Sequence, residues 1–293
     1  MESQNLLILT TNPRLYACTQ LEAAINEATH SCRFSDPYSV SDKELAWADV
    51  VINRNTGLNY NDDDLEKMAI LGPKKVINPV TCSRVLRDKY QQWLHFKEIL
   101  GPSQLIETYS LTQGPDDANK QNKWVIKTTR GQQAKGVYPS TDIINDRKKL
   151  IVKGDLNYII QPYIELKSEW RVLLFKGISS KKVEKIIIRK LPKITQNDFH
   201  ILNFASSSCE IIEEDKTPQQ VLSIADAVAG SLDFYFISVD VLEESEESEE
   251  QGGGHRLIEV NGCPGMAHSD EILLTSKHQM TMAQLFTEKV INS

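Results

Sequence analysis

Short apolar runs alternate with longer amphipathic stretches over the first eighty residues of this chain. Leu6-Leu7-Ile8-Leu9, Asp49-Val50-Val51-Ile52 and Lys75-Val76-Ile77 have the length and hydrophobicity of buried strands. Between them, Pro13 to about Ala28 and Asp62 to Leu71 have helical spacing, the first opening with an early proline. Strand–helix alternation with short connections predicts a small α/β unit with parallel strands. Asn78-Pro79 marks its end. Thr81 or Ser83 then caps a helix running to about Leu100, with Leu86, Tyr90, Trp93 and Leu94 on its apolar stripe.

From Trp124 the period changes from helical to strand-like. Trp124 to Lys127, Tyr158 to Gln161, Trp170 to Phe175 and Val183 to Ile188 read as strands. A helix follows from about Pro218 to Ser231, then strands at Phe236–Val241 and Leu257–Val260, and a closing helix near Met280 to Val290. Glu243 to Gly254 is low in complexity: like charges repel and three glycines add freedom, so it reads as a disordered hairpin tip.

That insert also accounts for most of the net charge of −7, because six of its residues are glutamates. The remainder is nearly neutral, which gives no support for a nucleic-acid footprint. Five widely spaced cysteines without a C-x-x-C pair argue for reduced thiols and against a disulfide framework or structural zinc. The Met1-Glu2-Ser3-Gln4-Asn5 start lacks a basic n-region, and no apolar run is long enough to span a membrane, so the cytoplasm is the expected location. An exposed apolar face on the N-terminal lobe would permit a homo-oligomer.

Candidate chemistry is concentrated near the end of the chain. Successive strand side chains point to opposite faces, so Glu259 and Asn261 share one face just before the Pro264-Gly265 turn. If that strand pairs with Phe236–Val241, then Asp240, Glu259 and Asn261 converge as oxygen donors suited to a hard divalent cation. A polar strand face touching solvent is the other reading. Upstream, Lys127 ends a strand, and Gly131 and Gly136 bracket a loop able to turn N–H groups toward a phosphate, or to form an ordinary hairpin. Val137-Tyr138 stands where a Walker loop needs Lys-Ser/Thr, which excludes a Walker-type NTPase. Lys89 reads as a solvated surface charge, and Glu169 and Arg171, flanking Trp170, as an exposed charge pair unless a ligand lies there. The six histidines show no metal-ligand spacing; His200 and His268 are candidates for a substrate site.

Taken in order, Asn78-Pro79, Arg87-Asp88-Lys89, Val125-Ile126-Lys127, Gln161-x-Tyr163-Ile164, Asp240 and Glu259-Val260-Asn261-x-x-Pro264-Gly265 resemble the blocks of the ATP-grasp superfamily. Within it the chain looks most like the RimK-like α-L-glutamate ligases, over roughly Val50 to Val290. The resemblance implies an α/β ATP-grasp fold behind a Rossmann-like pre-ATP-grasp domain (residues 1–79). A central subdomain with the glycine-bracketed lid would cover 80–162, and a C-terminal subdomain with the metal site and the insert 243–254 would cover 163–293. It implies that Lys89 and Lys127 contact ATP phosphates and that the Gly131–Gly136 loop closes over them. The backbone of Gln161, Tyr163 and Ile164 would meet adenine, and Glu169 the ribose. Asp240, Glu259 and Asn261 would hold Mg²⁺ or Mn²⁺, and Arg171, with Arg189 as a second candidate, would stabilise the transferring phosphoryl group.

The activity implied is amide formation between a carboxylate and an amine through an acyl phosphate, on a peptide, protein end or small amino acid. The chain departs from the family pattern in its glycine-poor loop Gln132-Gln133-Ala134-Lys135 and in Pro162, where an acidic residue is usual. It also lacks a Gly-Gly pair between Asp198 and Ser208. Two other classes fit the same blocks: an ATP-grasp inositol-phosphate kinase, which would want the basic run Lys181, Lys182, Lys185, Arg189, Lys190 and Lys193 beside the metal, and a non-catalytic ATP-binding protein.

Overall fold

The computed structural model describes residues 2–55, 75–115, 123–131, 136–180, 182–192, 207–245 and 254–293. The first apolar runs become β1 (Asn5–Leu9), β3 (Val50–Asn53) and β4 (Lys75–Ile77), and β2 (Ser31–Ser35) joins them in a parallel sheet of order β2-β1-β3-β4. β2 escapes the apolar pattern because it is an edge strand with polar, half-exposed residues. Helix α1 (Tyr16–Glu27) covers the sheet through Leu21, Ala24 and Ile25. Helix α2 (Asp42–Trp47) is too short for periodicity to reveal, but its start carries a capping box between Ser41 and Glu44. The expected helix Asp62–Leu71 lies outside the described residues.

The long helix expected from residue 81 to 100 is two. Helix α3 (Val80–Leu86) ends at Arg87, and α4 (Lys89–Phe96) begins afresh because the Asp88 carboxylate accepts from the Tyr90 and Gln91 amides at 2.9 and 3.1 Å. The re-start also moves the buried stripe: Leu86, Gln92 and Phe96 are inside, while Tyr90 and Trp93 stack half-exposed.

Two antiparallel sheets follow. One has the order β5-β8-β6-β7, with β5 (Tyr109–Ser110), β6 (Trp124–Thr128), β7 (Val137–Ser140) and β8 (Tyr158–Pro162); helix α5 (Ile143–Val152) packs on it through Ile143. The other has the order β11-β10-β9-β12-β13, with β9 (Leu166–Lys176), β10 (Val183–Pro192), β11 (Ser207–Ile212), β12 (Phe236–Glu244) and β13 (His255–Asn261). One face of the second sheet, through Val172, Leu174, Ile237, Val239 and Leu257, packs on α6 (Gln219–Ser231) and on Leu86, Phe96 and Leu105. The opposite face buries Leu173, Phe175, Ile188 and Phe236 against the first sheet and α8 (Met282–Phe286). The closing helix is therefore shorter than Met280–Val290 and continues as a π turn, Thr287–Ile291. Helix α7 (Ala267–Thr275) precedes it.

Glu243 and Glu244 do not belong to a disordered tip. They continue β12; Glu243 accepts from Ser168 Oγ and from Trp170 Nε1, the latter at 3.0 Å, and buried Glu244 pairs with Arg256. Paired, hydrogen-bonded carboxylates are retained in a strand where free ones would repel. Residues 246–253 lie outside the described residues. Among the described residues no helix is long and apolar enough to cross a membrane.

Asn78 joins the first sheet to the five-stranded one. From the end of β4 its Nδ2 donates to the Phe236 and Gly262 carbonyls at 2.6 and 2.8 Å, and its Oδ1 accepts from the Tyr235 and Phe236 amides at 2.8 and 3.0 Å. All four partners are backbone groups beside the candidate metal strands. Asn78→Ala leaves them without that partner, so urea unfolding should show a loss of about 3 kcal/mol or more; a loss under about 1 kcal/mol would contradict this account.

Candidate active site

Side-chain alternation on the five-stranded sheet places Glu169 and Arg171 (β9), Lys190 (β10) and Asp240 (β12) on one face. Glu259 reaches that face through a β-bulge. Val241 pairs with Leu257, yet the next pair is Asp240 with Glu259, so Ile258 is an extra residue in β13. Without it Glu259 would lie opposite Val239, toward the apolar face. With it, Glu259 and Asn261 join Asp240: Asn261 Nδ2 donates to Asp240 Oδ2 and to Glu259 Oε1, both at 3.1 Å.

Cations surround these carboxylates. Arg171 grips Asp240 with two parallel hydrogen bonds, Nε to Oδ1 at 2.6 Å and Nη2 to Oδ2 at 2.8 Å. Lys89 Nζ lies 3.3 Å from Glu259 Oε2 and donates to the Gly131 carbonyl at 2.7 Å. Lys190 pairs with Glu169, and both are buried. Burial pushes the Glu259 carboxyl up, but Lys89, Lys127, Asn261 and Arg171 outweigh it and hold the group at about 2. Burial raises Glu169, with Asp240 adding and Lys190 and Arg171 opposing. Burial likewise dominates at Lys127, lowering it to about 8; Glu259 and Glu169 oppose this and Lys89 adds to it.

The four-stranded antiparallel sheet forms the other wall. Val125 pairs with Gln161 and Lys127 with Ile159, so Lys127 and Gln161 share a face opposite Trp124, Ile126 and Ile160. The Gln161 side chain donates to Thr108 Oγ1 at 2.8 Å. Tyr163 and Ile164 lie in the short link from β8 to β9, where the Tyr163 amide donates to the Lys123 carbonyl. Gly136 has φ +76°, and a Cβ there would sit 2.6 Å from Thr128 Cγ2, so the loop can re-enter β7 only through glycine. The amide of Lys89 donates to the Thr129 carbonyl, tying the start of α4 to this wall. Residues 132–135 of the loop, His200 and the side chain of His268 lie outside the described residues.

Three expectations change. Lys89 is half-buried and paired, not a solvated charge, and buried Glu169 and half-buried Arg171 are each paired with another side chain, not an exposed pair. Arg189 lies on the opposite face from Arg171. It pairs with Trp170 in register, sits over that ring at 5.0 Å and contacts Glu243. Its neighbour Lys190 holds the position beside Glu169, because alternation in β10 lets only one of the two face the site. Sequence reasoning passed over Lys190 as one member of a basic run; the strand period through Ile186, Ile188 and Lys190 carried the signal.

A cleft opens beside Lys89 and Asn261. Asn53 at the end of β3, Asn55 two residues on, and Arg87 and Arg130 line it, and among the described residues no aspartate or glutamate does. It sits at the carboxyl end of a parallel strand, where open α/β sheets bind ligands. Cys263 Sγ to the Asn53 carbonyl (3.6 Å) and Arg54 Nη1 to the Pro264 carbonyl (3.2 Å) stitch its floor together.

Among the described residues there is no group of three or more His, Cys, Asp or Glu able to cage a metal. Two carboxylates and an amide oxygen suit an ion that takes its remaining ligands from phosphates and water, as Mg²⁺ does. The fit is visible in the amide group of Asn261, whose partial positive charge now sits between the two carboxylates.

Compared with protein families and with curated proteins, the sequence matches none. Solved structures do match. The chain is similar over 100% of its length to D-alanyl-alanine synthetase A from Vibrio cholerae (98% of that chain, TM-score 0.67, 14% identity). It is similar over 97% to D-cycloserine synthetase DcsG (98% of that chain, TM-score 0.67, 17% identity). It is similar over 99% to N5-carboxyaminoimidazole synthase from Aspergillus clavatus, solved with ADP and an aminoimidazole ribonucleotide (77% of that chain, TM-score 0.67, 12% identity). The chain has the fold these proteins share, the α/β ATP-grasp fold.

An anion that pairs with Lys127 must keep that lysine protonated, so binding above pH 8 takes up a proton. Affinity for tripolyphosphate or a nucleoside triphosphate should fall as pH rises through 8, by up to about 30-fold at pH 9.5. Lys127→Arg should abolish the dependence, since guanidinium stays charged. Calorimetry in buffers of different ionisation enthalpy measures the uptake directly; a flat wild-type profile would refute it.

Proposed function

We propose that this chain is an ATP-dependent carboxylate–amine ligase, forming ADP, phosphate and an amide. One observation carries the reading: two carboxylates and Asn261 converge with Lys89, Lys127 and Arg171 beside a cleft that, among the described residues, is lined by amides and cations and by no carboxylate. Lys89 and Lys127 would take the ATP phosphates. The Gly131–Gly136 loop would close over them, and the segment holding Gln161, Tyr163 and Ile164 would meet the adenine edge. Glu169, oriented by Lys190, would accept from the ribose. Asp240, Glu259 and Asn261 would hold Mg²⁺ or Mn²⁺, which when bound neutralises charge on the phosphate oxygens. The functional division we adopt has boundaries near residues 79 and 162, with the cytoplasm as the site of action.

In the first step a carboxylate oxygen of the substrate attacks the γ-phosphorus and the bond to ADP breaks. Arg171 and the two lysines supply positive charge where the transferring oxygens gather it. In the second, an amine nitrogen attacks the acyl carbon, phosphate leaves, and the amine's proton leaves with it. Placing the cleft between sheets keeps water from the acyl phosphate.

The finer reading is RimK-like addition of an acidic amino acid to a peptide or protein. It is supported by the cleft's lining: Arg87, Lys89 and Arg130 favour an anionic substrate. A kinase for polyanions is less well supported, because Lys185 is paired with Glu214 and Asp226 and Arg189 faces away from the site.

ADP release should require both a carboxylate and an amine, with acidic amino acids giving the fastest turnover. Mass spectrometry should show products heavier by an amino-acid residue, and hydroxylamine should trap a hydroxamate. Glu259→Gln should lower kcat by about two orders of magnitude while the melting temperature stays within a few degrees. Products heavier by phosphate alone, or wild-type turnover in the variant, would sink the ligase assignment.

A further inference from the structure

We propose that Gln92 is a positioning residue for the candidate metal ligands, standing in for the strand that β13 lacks. The inference rests on the metal assignment made above. Among the described residues β13 is an edge strand, bridged at Leu257 by Leu105 but with no neighbouring strand beyond that, so alternate backbone groups on its outer side need other partners. Val260, between Glu259 and Asn261, is one such residue, and the Gln92 carboxamide takes up both of its groups. Oε1 accepts from the Val260 amide at 2.9 Å, and Nε2 donates to the Val260 carbonyl at 2.9 Å. The second Nε2 proton goes to the Leu86 carbonyl at 2.8 Å, an orphan acceptor at the end of α3.

This arrangement leaves the amide no alternative orientation. An N–H only donates and a C=O only accepts, so a flipped carboxamide would set acceptor against acceptor. Gln92 is 7% exposed, where a broken hydrogen bond has no water to replace it. Lys89 and Gln92 are three residues apart and share a face of α4. One helix face therefore contributes the cation that meets Glu259 and the amide that fixes the peptide unit between Glu259 and Asn261. The directions of both ligand side chains follow from that unit's dihedral angles. A glutamine inside an otherwise apolar core is thus tied to metal geometry, not only to burial.

The test is direct metal binding. Mn²⁺ affinity is measured by electron paramagnetic resonance in the presence of a non-hydrolysable ATP analogue, analogue affinity is measured separately in EDTA, and exchange of the Val260 amide is followed by hydrogen exchange. Gln92→Met keeps the length of the side chain and removes its hydrogen bonds. It should weaken Mn²⁺ about tenfold or more, leave analogue affinity in EDTA within about twofold, and expose the Val260 amide to exchange. Gln92→Glu, which turns both donors into acceptors, should lose at least as much and serves if the first variant does not fold. Leu45→Ala, in the separate core of the first sheet, is the control for general destabilisation and should leave Mn²⁺ affinity unchanged. Unchanged Mn²⁺ affinity in Gln92→Met, or an equal loss in Leu45→Ala, overturns the proposal alone. A wild-type protein that binds neither analogue nor Mn²⁺ overturns the functional reading and this inference with it.

Discussion

One extra residue in β13, Ile258, determines which side of the sheet the Glu259 carboxylate faces. Leu257 and Val260 both point into the apolar core although they are three positions apart, an odd spacing that puts side chains on opposite faces of a regular strand. The bulge absorbs the mismatch and turns Glu259 and Asn261 to the face that carries Asp240 and Arg171. The Lys89–Glu259 pair and the asparagine between the carboxylates presuppose that switch, and it brings Glu259 beside the Arg171–Asp240 fork that β9 and β12 form by their own pairing.

Bringing so many charges together under partial burial is costly unless each is compensated. The site meets this with interleaved signs. Arg171 faces Asp240, Lys190 faces Glu169, Lys89 faces Glu259, and Lys127 is left with the lowered proton affinity of a buried amine. In the ligase reading that imbalance would give the site its directionality, with an anion at Lys127 and a cation near Glu259. The preference is set before any ligand arrives, which is the form of electrostatic organisation that lowers reorganisation during reaction.

The surrounding contacts hold the three sheets to this arrangement. Asn78 clamps the first sheet to backbone at one end of the β12–β13 pair, where β12 begins and β13 has just ended, and the Lys89 amide meets the wall that carries Lys127. Side-chain amides perform much of this work. Asn78 and Gln92 bond backbone groups that the sheets leave unpaired, and neutral amides do so without adding charge to an already crowded site.

Much of this was legible in the residues themselves. Continuous apolar runs announced the parallel sheet, the Asp240 and Glu259-x-Asn261 pattern announced a convergent polar face, and the order of lysine, glycine and carboxylate blocks announced the fold. Local chemistry suffices for these because burial period and turn residues act over a few positions. Edge strand β2, the break at Asp88, the opposite facing of Arg189 and Lys190, and the place of Glu243 and Glu244 in β12 were decided by tertiary structure. Each depends on partners far away in the chain. A polar edge strand is stabilised by its neighbour, and a carboxylate stays in a strand only where an arginine or an indole N–H meets it. Gln92 shows the division most clearly. Sequence alone places a glutamine on a helix, and only the packed fold brings its amide to the backbone between Glu259 and Asn261, because a strand at a sheet edge still has hydrogen bonds to satisfy.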